Sequence, residues 1–223
     1  MLTSLLAVTI VISTISLFLV NDLTLQLDDV KSNQIEIQQT IANRGKDVQL
    51  NFEKGYSTGN DAAPATLAIF LDYECGFCKH FFLEIYPKLY DDYISKDLLR
   101  FVIFDYPLTR HEFAVPIAQY ARCAQEIGTY DVFRNSVFQH EELMTRKALD
   151  QIASESGINI NECTSDTLLF ADIFENIKIG NSIGVRGTPS FVLNNQLIVG
   201  VKPYEELKSI IDNSLNRRTG TCK

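Results

Sequence analysis

The sequence predicts an α/β fold interrupted by a helical subdomain. Three observations support this. An uncharged apolar run at Thr66–Leu71 stops just before a Cys-x-x-Cys pair, and a second strand-like run follows at Leu99–Phe104 after a helical pattern. Strand signal then disappears for roughly 80 residues and returns only beyond Gly187. With 223 residues, 46% of them hydrophobic, the chain can build one core with an insertion. Its formal charge of -8 comes from acidic residues scattered along the chain, which argues against nucleic acid as a partner.

Residues 1–20, MLTSLLAVTIVISTISLFLV, carry no charge. As a helix they would reach about 30 Å, the thickness of a bilayer's hydrocarbon core. No Lys or Arg precedes the run, and it ends LFLVND without a small-x-small cleavage site, so an uncleaved anchor is favoured over a cleaved signal. Residues 21–50 form a polar tether. Gly59, Asn60 and Pro64 then punctuate the approach to a compact domain expected over 51–218, leaving 219–223 as a polar tail.

Thr66–Leu71 is a buried strand by composition, and Cys75 and Cys78 lie just past its end. The following stripe of Phe81, Leu83, Ile85, Leu89 and Tyr93 predicts a helix, which Pro87 should kink or interrupt because it lacks an amide proton. Cys75 thereby falls at a helix N-terminus, where free amides and the helix dipole stabilise a thiolate. After the second strand, helical patterns run over Glu112–Ile127, Asp131–His140, Thr145–Ser156 and Asn161–Ile183, the last with room for a break, so the insertion spans about 106–186. Ser190–Leu193 and Gln196–Val199, joined by Asn194-Asn195, predict a hairpin. Pro203–Leu215 predicts a closing amphipathic helix.

These pieces resemble the DsbA-type thiol:disulfide oxidoreductases of the thioredoxin fold, especially their membrane-tethered or secreted branch. The resemblance is carried by Asp61–Thr66 (DAAPAT), Phe70–Cys78 (FLDYECGFC), Asp105–Leu108 (DYPL), Val185–Phe191 (VRGTPSF) and Gly200, which together cover most of residues 55–215. A lone Cys-x-x-Cys is a weak signal. Paired with a Thr-Pro segment 111 residues after Cys78, in the expected order of elements, it is a strong one. Tyr73 stands in the region where thioredoxins proper carry Trp, and the chain has no Trp at all, which favours the DsbA-like branch.

The resemblance implies that Cys75 is the nucleophile, Cys78 the resolving cysteine and Pro189 a cis-proline. It also implies that Thr188 offers its backbone to an extended substrate. Tuning of the thiolate is expected from Lys79 and a protonated His80, opposed by Asp72 and Glu74 if they are close, with the Gly76 and Phe77 amides unencumbered by proline. Relatives often carry Pro at the Gly76 position or His at the Phe77 position, so their strength as oxidants does not transfer directly. Asp72 is either a buried proton acceptor or a surface carboxylate capping the loop. His111, after the Pro107-Leu108 turn, either lines the substrate face or is a half-exposed helix-start residue.

Cys123 and Cys163 lie where some members of the family also carry cysteines. A structural disulfide between them would close a loop of about 40 residues, worth roughly 2 to 4 kcal/mol, and the alternative is two separate buried thiols. Cys222, in the polar tail, has no expected catalytic role. The spacing of the five cysteines does not fit a structural zinc site, so no metal and no cofactor are expected.

The function implied is an extracytoplasmic, monomeric oxidase that introduces disulfides into reduced or unfolded proteins and is itself reoxidised by a membrane oxidoreductase. Alternatives are a tethered reductase or isomerase, or a thioredoxin-fold chaperone. The last needs neither Cys75 nor Cys78.

Overall fold

In the computed structural model the central strand is β2 (Ala65–Leu71), whose composition leaves no residue exposed to solvent. It pairs in parallel with β3 (Leu99–Asp105) from Ala65↔Leu99 to Leu71↔Asp105, and antiparallel with β4 (Ser190–Leu193) from Leu67↔Leu193 to Phe70↔Ser190. A short edge strand, β1 (Tyr56–Thr58), runs antiparallel to β3, and β5 (Gln196–Val199) closes the other edge, giving the order β1-β3-β2-β4-β5. Asn194 and Asn195 turn the β4–β5 hairpin with φ of 45° and 69°, the left-handed backbone that a two-residue hairpin turn requires and that Asn tolerates.

The structure describes residues 50–140, 144–165 and 167–218, together with residues 22, 24, 26, 27, 30, 31 and 34, which are helical and exposed. Residues 1–46 form a unit separate from 47–223. The proposed membrane segment at 1–20, the tail at 219–223 and Cys222 lie outside the described residues. Among the described residues no helix is long and apolar enough to cross a membrane.

The alternation of side chains along each strand divides the core in two. Leu67, Ile69, Leu71, Phe101, Ile103, Phe191 and Leu193 face the larger cluster, and Ala68, Phe70, Val102, Phe104 and Val192 face the smaller one. The crossover between β2 and β3 covers the larger face. It begins as α1 (Gly76–His80), passes through a π turn at Phe81–Ile85 and continues as α2 (Tyr86–Asp92). The α-helical register is interrupted immediately before Pro87, as the sequence leads one to expect. Pro87 sits in the first turn of α2, directly after the π turn, where the change of register accommodates its missing donor. Phe81 and Phe82 from the π turn pack against Phe101 of β3.

The insertion consists of α3 (Ala114–Glu126), α4 (Tyr130–Gln139), α5 (Arg146–Glu155), α6 (Ile160–Ser165) and α7 (Thr167–Ser182), the last two lying on either side of residue 166, which is outside the described residues. Thr145 caps α5 by accepting the Ala148 amide at 3.2 Å. Cys123 on α3 and Cys163 on α6 are joined by a disulfide, and Gln119 Nε2 donates to the Cys163 carbonyl at 3.0 Å beside it. The C-terminal half of α7 covers the smaller cluster. Gly180 is required there, because a Cβ at that position would lie 2.6 Å from the Tyr106 ring. Finally, α8 (Tyr204–Arg218) returns Leu207 and Ile211 to the larger face.

Candidate active site

The loop after β2 is built by Asp72. This residue is 1% exposed, and its carboxylate accepts the amides of Glu74 (2.8 Å) and Leu108 (2.7 Å) together with Nδ1 of His111 (2.8 Å). One buried carboxylate thus ties the Cys-x-x-Cys loop to the segment after β3. Asp72 is therefore a loop-capping carboxylate, but it is inside the protein rather than on its surface. Glu74 turns the same way, its Oε2 accepting the Phe113 amide at 2.6 Å, and burial holds its carboxyl above the usual range.

Cys75 takes the N-cap position of α1 with extended backbone, and its amide donates to the Asp72 carbonyl at 3.1 Å. Cys75 and Cys78 are both free thiols in this structure. Their surroundings differ. The Cys75 thiol is lowered from 9.0 to about 5, chiefly by the hydrogen bond from the Cys78 thiol, with help from Thr188 and from the Cys78 and Phe77 amides and against the effect of burial. Cys78, fully buried, is pushed well above the ordinary thiol range by desolvation first and by the neighbouring Cys75 sulfur second.

The Thr188–Pro189 peptide bond is cis, and the Cys75 Sγ lies 3.2 Å from the Thr188 carbonyl oxygen. Ser190 Oγ donates to the Gly187 carbonyl at 2.7 Å, and the Gly200 amide donates to the Pro189 carbonyl at 3.0 Å, holding this segment at the mouth of β4. Thr188 Oγ1 is buried and has no partner among the described groups.

A cavity of about 480 Å³ opens in front of the thiols, lined by Cys75, Gly76, Phe77, His80, Arg110 and His111. Phe77 is 68% exposed beside it, which offers an apolar surface to a partner. The fold therefore brings together Cys75, Cys78, Gly76, Phe77, His80, Thr188 and Pro189. Lys79 is turned elsewhere, its ammonium donating to the His140 carbonyl at 3.2 Å, and the thiolate is stabilised chiefly by the Cys78 thiol and by the Cys78 and Phe77 amides instead. Cys123 and Cys163 remain within the insertion.

Behind the loop lies a buried polar network that sequence reasoning did not find. Tyr73, two residues before Cys75, places its hydroxyl 3.0 Å from that of Tyr130 and 3.4 Å from Asp105. Arg122 of α3 donates to Asp105 at 2.5 Å and to Asn176 of α7 at 2.8 Å, while Asn176 Nδ2 reaches the Lys54 carbonyl at 3.0 Å. Burial raises the Tyr73 hydroxyl well above its usual pKa, so it is a neutral donor here. Arg122 lies one residue before a disulfide cysteine, so α3 is anchored to the sheet by an ion pair and to the insertion by a covalent bond.

A family model described as thioredoxin matches residues 51–213. The disulfide bond formation protein D of Bacillus subtilis is 24% identical over 171 residues, covering 70% of this chain and 75% of that protein. A putative protein-disulfide oxidoreductase of Rickettsia felis is 21% identical over 174 residues, covering 74% of this chain and 62% of that protein. Among solved structures, oxidised BdbD from Bacillus subtilis superposes with a TM-score of 0.64 at 22% identity, covering 75% of this chain and 96% of its own. The alpha-DsbA1 of Wolbachia pipientis superposes at 0.67 with 19% identity, covering 79% and 97%. At these identities the structural likeness speaks for the fold.

Proposed function

The chain belongs to the thioredoxin family, and on that premise we propose that it introduces disulfides into reduced proteins outside the cytoplasm by exchange through Cys75 and Cys78. It is a thiol:disulfide oxidoreductase of the DsbA-like group. The observation that carries the direction is the asymmetry of the two sulfurs, one held near a pKa of about 5 and the other far above the usual range.

In the oxidised enzyme a client thiolate attacks the Cys75 sulfur, because Cys75 lines the cavity and Cys78 does not. The Cys75–Cys78 bond breaks, a client–Cys75 bond forms, and Cys78 leaves as a thiolate that takes up one of the protons the client thiols release to solvent, as its raised pKa favours. A second client thiolate then attacks the client sulfur and expels Cys75, whose low pKa makes it a good leaving group. The client is oxidised by two electrons and the enzyme is reduced by two, ending with Cys75 as thiolate and Cys78 as thiol. Thr188 lies where a client strand can pair with its backbone next to the reacting sulfur, with Pro189 fixing that segment. Reoxidation is assigned to a membrane oxidoreductase, and residues 1–20 to the anchor that keeps the enzyme beside it, with residues 21–50 as tether.

At pH 7 a thiol titrating at about 5 rather than 9.0 favours the dithiol by about 3 kcal/mol, or about 60 mV for a two-electron couple. The test is the reduction potential of the full chain carrying Cys222→Ser, equilibrated in glutathione buffers, with Cys75 and Cys78 read by mass after alkylation. A value near about -120 mV supports disulfide donation, and a value near about -270 mV makes the protein a tethered reductase instead.

A further inference from the structure

The ionisable side chains lining the active-site cavity differ in type from those that dominate the chain. The protein carries -8, yet every ionisable side chain lining the cavity other than the nucleophile is a basic type: His80, Arg110 and His111. The carboxylates nearest in sequence do not line it. Asp72 is buried and engaged by two amides and by His111, and Glu74 is bonded to the Phe113 amide. Glu112 is exposed but outside the cavity lining.

Arg110 is the member that is charged whatever the pH near neutrality. Arg100, Arg122 and Arg134 are each paired with a carboxylate, at 3.0, 2.5 and 2.8 Å, and Arg186 is turned to the Asn181 and Val185 carbonyls. Arg110 is exposed, lines the cavity and has no carboxylate partner among the described residues. An unpaired guanidinium presents a planar fork of donors matched to a carboxylate. Beside it, Phe77 offers a ring for the stem of an incoming side chain.

We propose that this cavity is a subsite for a carboxylate side chain flanking the reacting cysteine of a client, with Arg110 as the residue that sets the preference. The proposal rests on the exchange reaction above and names the client class that it favours: reduced polypeptides with Asp or Glu next to the cysteine. Arg110 acts on client capture, not on the sulfur chemistry.

The test uses the oxidised full chain and two reduced two-cysteine peptides that differ only in Glu or Lys beside the first cysteine. Second-order rates of peptide oxidation are divided by the rates of the same peptides with an uncharged disulfide, 2-hydroxyethyl disulfide, which removes the effect of the neighbour on thiol acidity. The expected result is a normalised preference for the Glu peptide of about threefold at low salt, eroded by added salt. Arg110→Ala should abolish the preference and Arg110→Glu should invert it, and the exposure of Arg110 makes both variants compatible with folding. Equal normalised rates in the wild type, or a preference indifferent to Arg110→Glu, overturn the subsite alone. Failure to oxidise either peptide overturns the exchange reading and the subsite with it.

Discussion

The Cys75 sulfur and the Thr188 carbonyl oxygen lie 3.2 Å apart although 113 residues separate them in the chain. As a thiol, Cys75 occupies that carbonyl by donating to it. As a thiolate, or bonded to a client, it has no proton to give, and the carbonyl becomes available to an incoming backbone amide. The protonation state of this one sulfur therefore bears on both the chemistry and its contact with Thr188, which leads to the first prediction.

The reduction potential should change slope with pH. Below about pH 5 both thiols are protonated, and two protons accompany two electrons, giving about -59 mV per unit. Above it Cys75 is a thiolate while Cys78 still holds its proton, and the slope halves to about -30 mV per unit. Because the largest influence on Cys75 is the Cys78 thiol, Cys78→Ala should raise the Cys75 midpoint, measured by ultraviolet thiolate absorbance. An unchanged midpoint in that variant contradicts the assignment.

Asp72→Ala should destabilise the protein by about 2 to 4 kcal/mol. The substitution strands the amides of Glu74 and Leu108 and releases His111, and buried donors left without partners carry their full desolvation penalty. Urea denaturation of reduced and oxidised protein checks this, and a loss under about 0.5 kcal/mol contradicts it.

Arg122→Met should cost about 3 to 5 kcal/mol at pH 7, since it leaves the Asp105 carboxylate buried without its cation. An acid whose folded pKa is raised contributes stability below its unfolded pKa and loses it as pH rises. Burial already pushes Asp105 upward, and removing Arg122 pushes it further, so the deficit should be smaller at pH 4 than at pH 7. Thermal denaturation at the two pH values decides, and a second change, Asp105→Asn, should recover part of the loss.

Gly180→Ala should destabilise by about 1 to 3 kcal/mol despite the better helix propensity of alanine. The added methyl meets a Tyr106 ring that is itself fixed by hydrogen bonds to Asn181 and Val185, so neither side can yield cheaply. A neutral or stabilising result in urea would show that α7 can move off the sheet.

Replacing Cys123 and Cys163 together by Ala should cost about 2 to 4 kcal/mol. Neither cysteine touches the Cys75 thiol, so the thiolate midpoint should stay where it is. A shifted midpoint would mean that the insertion communicates with the active-site loop.

Long apolar runs and turn residues made much of this fold legible in sequence. Thr66–Leu71 marks β2 because a strand buried on both faces tolerates no charge, and Phe101–Phe104 marks β3 in the same way, with Arg100 near the strand's start half-buried and paired with Asp61. Asn194-Asn195 marks the hairpin because few residues accept positive φ. Tyr56–Thr58 escaped notice, since three residues at a sheet edge are too short to show periodicity. Pro87 marks the interruption of the crossover helix, but that the break takes the form of a π turn upstream leaves no mark in composition. At the site, Cys75, Cys78, Thr188 and Pro189 stand out as motif residues, whereas the partners of Asp72 and the chain from Tyr73 through Asp105 and Arg122 to Asn176 depend on contacts between distant elements. Arg110 has no motif at all and is identified only by the cavity that it lines.

The bond between Cys123 and Cys163 makes the protein a client of its own kind of chemistry. A newly made chain carries reduced cysteines that can pair in several ways, and only one pairing joins both Cys75 to Cys78 and Cys123 to Cys163. Completion of the helical insertion is thereby tied to the redox state of the compartment, because a reducing one withholds the bond that joins α3 to α6.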